Sequence, residues 1–198
     1  MGGPVLFAGE CGCWPQITRD KGKGMVCLRD YPSSPTPYKY LNSGQWIAPA
    51  EKALEIFEAL IGEAHVYAER YNVPVSKIND QEMVSDMYMK GRFGINLDHT
   101  NAIFQAMHAT HDRPLEECDP WPEMVNNKGV WENKVYGTSP SIFHFNGGGK
   151  IHHLQMEGQM WYKKQGAGMR GGELRDSKLL VGDGDGKVAS FRELCPSY

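Results

Sequence analysis

Apolar positions open the chain as Val5-Leu6-Phe7-Ala8, a run hydrophobic on both faces that predicts a strand inside a sheet. Nothing before it supplies neighbouring strands, so the chain reads as the later part of a domain that begins earlier. Residues 16–37 carry Gly22, Gly24, Pro32, Pro35 and Pro37 and predict a long irregular loop. Residues 38–41 predict a short strand, Asn42-Ser43-Gly44 a tight turn, and residues 45–48 an extended continuation. Residues 49–71 carry the clearest helical period: Ala53, Ile56, Phe57, Leu60, Ile61 and Ala64 fall on one face, and Glu51, Lys52, Glu55 and Glu58 on the other. Pro49 suits the first turn, and Asn72-Val73-Pro74 ends it.

A second helix opens at residues 79–82, with Asp80 as its N-cap and Met83, Val84, Met87 and Tyr88 as its apolar stripe. Gly91-Arg92-Phe93-Gly94 predicts a turn, and residues 95–98 and 102–106 two short strands around a bend at 99–101. Residues 108–134, with Pro114, Pro120 and Pro122, predict a surface loop. Val135-Tyr136 and residues 141–145 read as extended, residues 151–164 as a helix, and everything from Gln165 as a Gly-rich tail. Alternating strands and helices give an α/β fold class.

With 198 residues, 40% of them hydrophobic and 23% charged, the chain can build one folded domain with a core. A net charge of −3 argues against a general nucleic-acid or anionic-membrane binder. No apolar run reaches membrane-spanning length, and no signal peptide is legible. Cys11, Cys13, Cys27, Cys118 and Cys195 lack the paired C-x-x-C units of a zinc ribbon. Partial disulfide bonding and free buried thiols both fit.

Ser141-Ile142-Phe143-His144-Phe145-Asn146-Gly147-Gly148-Gly149-Lys150 concentrates the chemistry. An apolar strand delivers His144 to a glycine-rich turn closed by Lys150. Imidazole binds divalent metals, glycines let backbone N–H groups approach phosphate oxygens, and lysine neutralises their charge. This is one wall of a metal–diphosphate site. The plain structural alternatives are a hydrogen-bonded histidine at a strand end and a solvated lysine. Asp80 offers a carboxylate for proton transfer or charge stabilisation, and its N-cap role is compatible with either. Glu10 and Trp14 follow the first strand, where an aromatic face can stack on a sugar ring, although Trp14 beside Pro15 also reads as partly buried. Asp98 reads as a structural cap at Thr100. His152-His153 diverge as neighbours on a helix. Asp183-Gly184-Asp185-Gly186 resembles a degenerate calcium loop with Arg192 at the bidentate position, giving a calcium-binding module as a minor reading.

Five blocks, in order, resemble the glycosyltransferase domain at the N-terminus of procollagen lysyl hydroxylases and of related collagen-type galactosyl- and glucosyltransferases. They are Val5-Leu6-Phe7-Ala8-Gly9-Glu10 with Cys13-Trp14-Pro15; Tyr40-Leu41-Asn42-Ser43-Gly44; Asn79-Asp80-Gln81; Leu97-Asp98 with Ile103-Phe104-Gln105; and His144-Phe145-Asn146-Gly147. The similarity runs from about residue 5 to 150. It implies the later part of a GT-A, Rossmann-like domain over residues 1–164, followed by the tail at 165–198. It further implies a UDP-glucose or UDP-galactose donor, a divalent metal (usually manganese), and a hydroxylysine-bearing, collagen-like acceptor in the endoplasmic reticulum or Golgi lumen.

The resemblance also distributes roles. His144 would be the metal ligand; Asn146 and Gly147 would offer amides to the diphosphate, with Lys150 as counter-charge. Asn42, Ser43 and Gly44 would contact the sugar, Asp80 and Gln81 would serve catalysis or the acceptor, and Glu10 and Trp14 would line the acceptor path. A secretory setting suits disulfides among Cys11, Cys13 and Cys27. The family's Asp-rich metal motif lies before the strand that here is residues 5–8, and this chain has none there. An incomplete enzyme with weak or absent manganese–UDP binding is therefore expected, with a non-catalytic, protein-binding remnant as the alternative.

Overall fold

The computed structural model describes residues 4–15, 30–108, 118, 132, 133 and 135–153, together with the backbone of residues 178–180 and 188–190. The chain divides into two compact units, Met1–His153 and Leu154–Tyr198. The first is α/β and carries every residue to which the family resemblance assigns a role. Of the second, an antiparallel pair is described, β6 (Lys178–Leu180) with β7 (Val188–Ser190). Cys27, Cys195, the Asp183 and Asp185 turn, most of the loop expected at 108–134 and the helix expected beyond residue 153 lie outside the described residues.

The double-sided apolar run becomes β1 (Val5–Glu10), the middle strand of a three-stranded sheet in the order β2-β1-β3. β2 (Tyr40–Ile47) runs antiparallel to it and β3 (Ile95–Asp98) parallel, with Val5 opposite Ile95 and Ala8 opposite Asp98. Val5, Phe7, Leu41, Ile95 and Leu97 pack into one core with Ile56, Val84 and Met87 from the two helices. Phe7 stacks on Trp46 with ring centroids 5.0 Å apart.

β2 corrects one expectation. Asn42-Ser43-Gly44 is not a turn between two strands but part of a bulge inside one. Phe7 pairs with Trp46 and the next residue, Ala8, pairs with Asn42, so Ser43, Gly44 and Gln45 are extra. Side chains replace the missing ladder bonds: Gly44 N–H donates to Asn42 Oδ1 at 2.9 Å and Ser43 N–H to Gln81 Oε1 at 3.2 Å.

Helix α1 (Ala50–Tyr71) follows Pro49 and stops at Asn72, whose left-handed backbone (φ 54°) lets its N–H reach the carbonyls of Ala68 and Glu69. Its expected apolar stripe is only partly used. Ile56 is buried, whereas Phe57 is 51% and Ile61 71% exposed. The buried line continues instead through Tyr67 and Ala68, because the helix meets the core along a narrow edge.

Helix α2 (Asp80–Met89) is capped by Asn79, not Asp80: Asn79 Oδ1 accepts from Glu82 N–H at 3.3 Å. That correction leaves the Asp80 carboxylate free of cap duty. Residues Gln81 through Met87 are all buried. The polar ones find partners, among them Tyr67 to Asp86, Tyr71 to Glu82 and Tyr31 to Ser85.

Beyond α2, Asp98 behaves as the structural cap expected. Its carboxylate accepts from the N–H groups of Ala102, Ile103 and Phe104 at 2.8–2.9 Å, bending the chain from β3 into β4 (Phe104–Ala106). β4 pairs in parallel with β5 (Ile142–His144), Ala106 opposite His144. Val135-Tyr136, expected to be extended, lies in a turn because the Asn133 side chain accepts from both their N–H groups. Residues Gly147–His152 form a 3-10 turn, and His153 after it is helical, where the expected helix leaves the described residues.

Cys11 is bonded to Cys118, across 107 residues, and Cys13 is also disulfide-bonded. The expected pairing among Cys11, Cys13 and Cys27 is thus corrected for Cys11, whose partner is Cys118 instead.

Candidate functional site

Strand ends build the site. β1 ends on Glu10 and releases Gly12, Cys13 and Trp14; the β2 bulge supplies Asn42, Ser43 and Gly44. The first turn of α2 gives Asp80 and Gln81, and the parallel ends of β4 and β5 give His108, His144, Asn146 and Gly147. These residues line one cleft of about 630 Å³. Every residue that the family resemblance assigns a role lies there except Lys150, which is exposed in the 3-10 turn.

Glu10 is the floor. Only 3% exposed, it accepts from Gln81 Nε2 at 2.7 Å, Asn146 Nδ2 at 2.8 Å and Asn42 Nδ2 at 3.0 Å. Burial pushes its carboxyl up to about 7, and the three amides offset only part of that rise. Besides lining the cleft, where an acceptor path is expected, its carboxylate ties together four chain segments. Trp14, 57% exposed, offers the open aromatic surface, and its carbonyl accepts from Gln81 Nε2 at 3.1 Å.

His144 Nδ1 lies 3.0 Å from Asn42 Oδ1. That oxygen already accepts from Gly44 N–H, while the Asn42 amide nitrogen faces Glu10. Only an N–H can face it, so Nδ1 carries the proton and Nε2 keeps its lone pair. Burial, and then the charge of Lys150, hold the His144 pKa below the ordinary 6.5, which favours this neutral form. Lys150 therefore acts on the site through its field. Gly44 is required beneath the ring: a Cβ there would lie 2.0 Å from His144 Cε1.

Asp80 receives the Ser43 hydroxyl at 2.9 Å, and Gln81 holds the bulge through Ser43 N–H. Asn146 makes three hydrogen bonds that tie the turn to the strands. Its Nδ2 meets Glu10, its Oδ1 accepts from His108 N–H at 3.1 Å, and its own N–H donates to the His144 carbonyl. Its side chain is thus part of the frame of the cleft it lines.

A divalent metal at this site would find one well-prepared ligand, His144 Nε2. Among the described residues no group of three His, Cys, Asp or Glu side chains is close enough to hold such an ion. The described residues therefore fit a single metal ligand and not a coordination shell.

Gly12, Cys13 and His108 escaped the sequence reading. His108 sits two residues past β4, where the parallel partner β5 delivers His144, and carboxyl ends of parallel strands are where sites gather. That position was the available signal.

Residues 2–166 match the family model described as PLOD GT domain. The chain is 28% identical over 151 residues to the Drosophila melanogaster protein named procollagen-lysine,2-oxoglutarate 5-dioxygenase, covering 76% of this chain and 18% of that protein. It is 27% identical over 154 residues to the human multifunctional procollagen lysine hydroxylase and glycosyltransferase LH3, covering 76% and 17%. The chain thus spans under a fifth of the length of these curated relatives.

Proposed function

The chain belongs to the PLOD GT domain family of glycosyltransferases, and on that premise we propose that its cleft transfers glucose or galactose from a UDP-sugar to hydroxylysine, or to a sugar already on hydroxylysine, in a collagen-like polypeptide. The observation that carries this reading is the convergence of Trp14, Asn42, Ser43, Gly44, Asp80, Gln81, His144 and Gly147 on one cleft from segments far apart in sequence.

The roles follow from the chemistry of each group. Trp14 stacks on a sugar face, and the bulge at Ser43 and Gly44 meets sugar hydroxyls. Asp80, held by the Ser43 hydroxyl in the first turn of α2, takes the proton of the attacking hydroxyl or stabilises the cationic sugar. Manganese, when bound, would neutralise the leaving diphosphate, with His144 Nε2 as one of its ligands. Lys150 adds positive potential. The Cys11–Cys118 disulfide fits an oxidising secretory lumen.

A second reading, a protein-binding module without catalysis, draws on the exposed Leu54, Phe57, Ile61 and Val66 of α1. Incubation with UDP-glucose or UDP-galactose, manganese and a hydroxylysine peptide, followed by mass spectrometry, separates the two. Transfer predicts a gain of one hexose, reduced about 100-fold or more in Asp80→Asn. Folded protein that adds no hexose from either donor favours the binding module.

A further inference from the structure

Two imidazoles face the cleft from the paired ends of β4 and β5, and their hydrogen bonds give them opposite tautomers. His144 has its proton on Nδ1, as argued above. At His108, Gly148 N–H donates to Nδ1 at 2.9 Å, so Nδ1 is the acceptor and the ring proton sits on Nε2. The same ring edge is pressed on the glycine turn. A Cβ at Gly147, whose φ is +49°, would lie 2.9 Å from His108 Nδ1 and 3.2 Å from its Cε1. The backbone of His108 is pinned as well, its N–H donating to Asn146 Oδ1 at 3.1 Å. With the Nδ1 edge occupied by the turn, Nε2–H is the ring's remaining polar group, on a residue that lines the cleft.

We propose that His108 is a ligand-binding residue whose Nε2–H donates to an anionic phosphate oxygen, next to the Gly147-Gly148 turn and in the cleft that His144 also lines. A neutral imidazole held as a donor suits a group that can only accept, and phosphate oxygens are such acceptors. The wall therefore offers an N–H donor at His108 as well as a nitrogen lone pair at His144, and a diphosphate oxygen can use the donor. This deepens the proposed function and rests on it for the identity of the ligand.

Two conservative variants separate ligand contact from structural support. Asparagine at this position can keep an acceptor for Gly148 N–H yet lacks an atom where Nε2 stands; glutamine places an amide N–H near Nε2. UDP and uridine are titrated against the whole chain in the presence of manganese, for the parent, His108→Asn and His108→Gln. We expect His108→Asn to weaken UDP about tenfold or more while leaving uridine within about twofold, and His108→Gln to recover most of the UDP affinity. UDP binding that His108→Asn leaves unchanged, or equal losses for UDP and uridine, overturn the assignment alone. A folded parent that binds neither ligand overturns the reading of the cleft and this assignment with it.

Discussion

Burial holds the Glu10 carboxyl at about 7 against 4.5 for an ordinary glutamate, because the floor of the cleft offers it amides but little water. The folded protein then holds this proton more tightly than the unfolded chain. The group's contribution to stability is complete below pH about 4.5 and is lost as pH rises through about 7, an effect on the order of 3 kcal/mol. Glu10→Gln cannot ionise, so urea unfolding across that interval is expected to show a flatter pH slope in the variant; equal slopes would contradict the buried-carboxylate account. His144 runs the other way: its lowered pKa gives stability present above 6.5 and lost as pH falls. At Gly44 the expectation is steric. Gly44→Ala must displace the His144 ring, and imidazole NMR signals are expected to shift while the remaining core signals stay. Sequence placed Trp14, Asn42, Asp80 and His144 in the site through their motif blocks. It could not foresee Glu10 as a buried hub, because a carboxylate at a strand end reads as exposed until three amides from distant segments close over it.

Among the elements, the double-sided apolar run of β1, the period of α1 and the stripe of α2 were legible because each is a local pattern. The β2 bulge was not, since Asn-Ser-Gly has turn chemistry and only Gln81 and Asn42, supplying acceptors, keep the strand running through it. The face of α1 was misjudged for a similar reason. Ile56 and Ile61 look alike in the sequence, yet the helix crosses the core edge near the first and leaves the second in solvent. Ile56→Ala is therefore expected to cost about 2–4 kcal/mol in chemical denaturation and Ile61→Ala less than about 0.5. Comparable costs at both sites would mean that α1 packs on the broader face its periodicity suggests.

For the first compact unit as a whole, Cys11–Cys118 links the edge of the cleft to a point 107 residues away. Closing so long a loop restricts the unfolded chain, by about 4–5 kcal/mol in the chain-entropy model. Cys118→Ser is expected to lower the Tm by several degrees at least, with the loss abolished when parent and variant are compared in reductant. A persistent difference under reduction would trace the effect to packing. The central claim concerns the same unit: strand ends and helix starts scattered between residues 10 and 147 form one cleft, proposed above to take a nucleotide sugar. Two-dimensional NMR of the chain with excess UDP and manganese or, to avoid paramagnetic broadening, magnesium tests it most directly. The account predicts that Trp14, Gly44, His108 and His144 signals move together along one saturable isotherm while those of the exposed α1 face stay fixed; no movement at these four residues, in protein that remains folded, would contradict it.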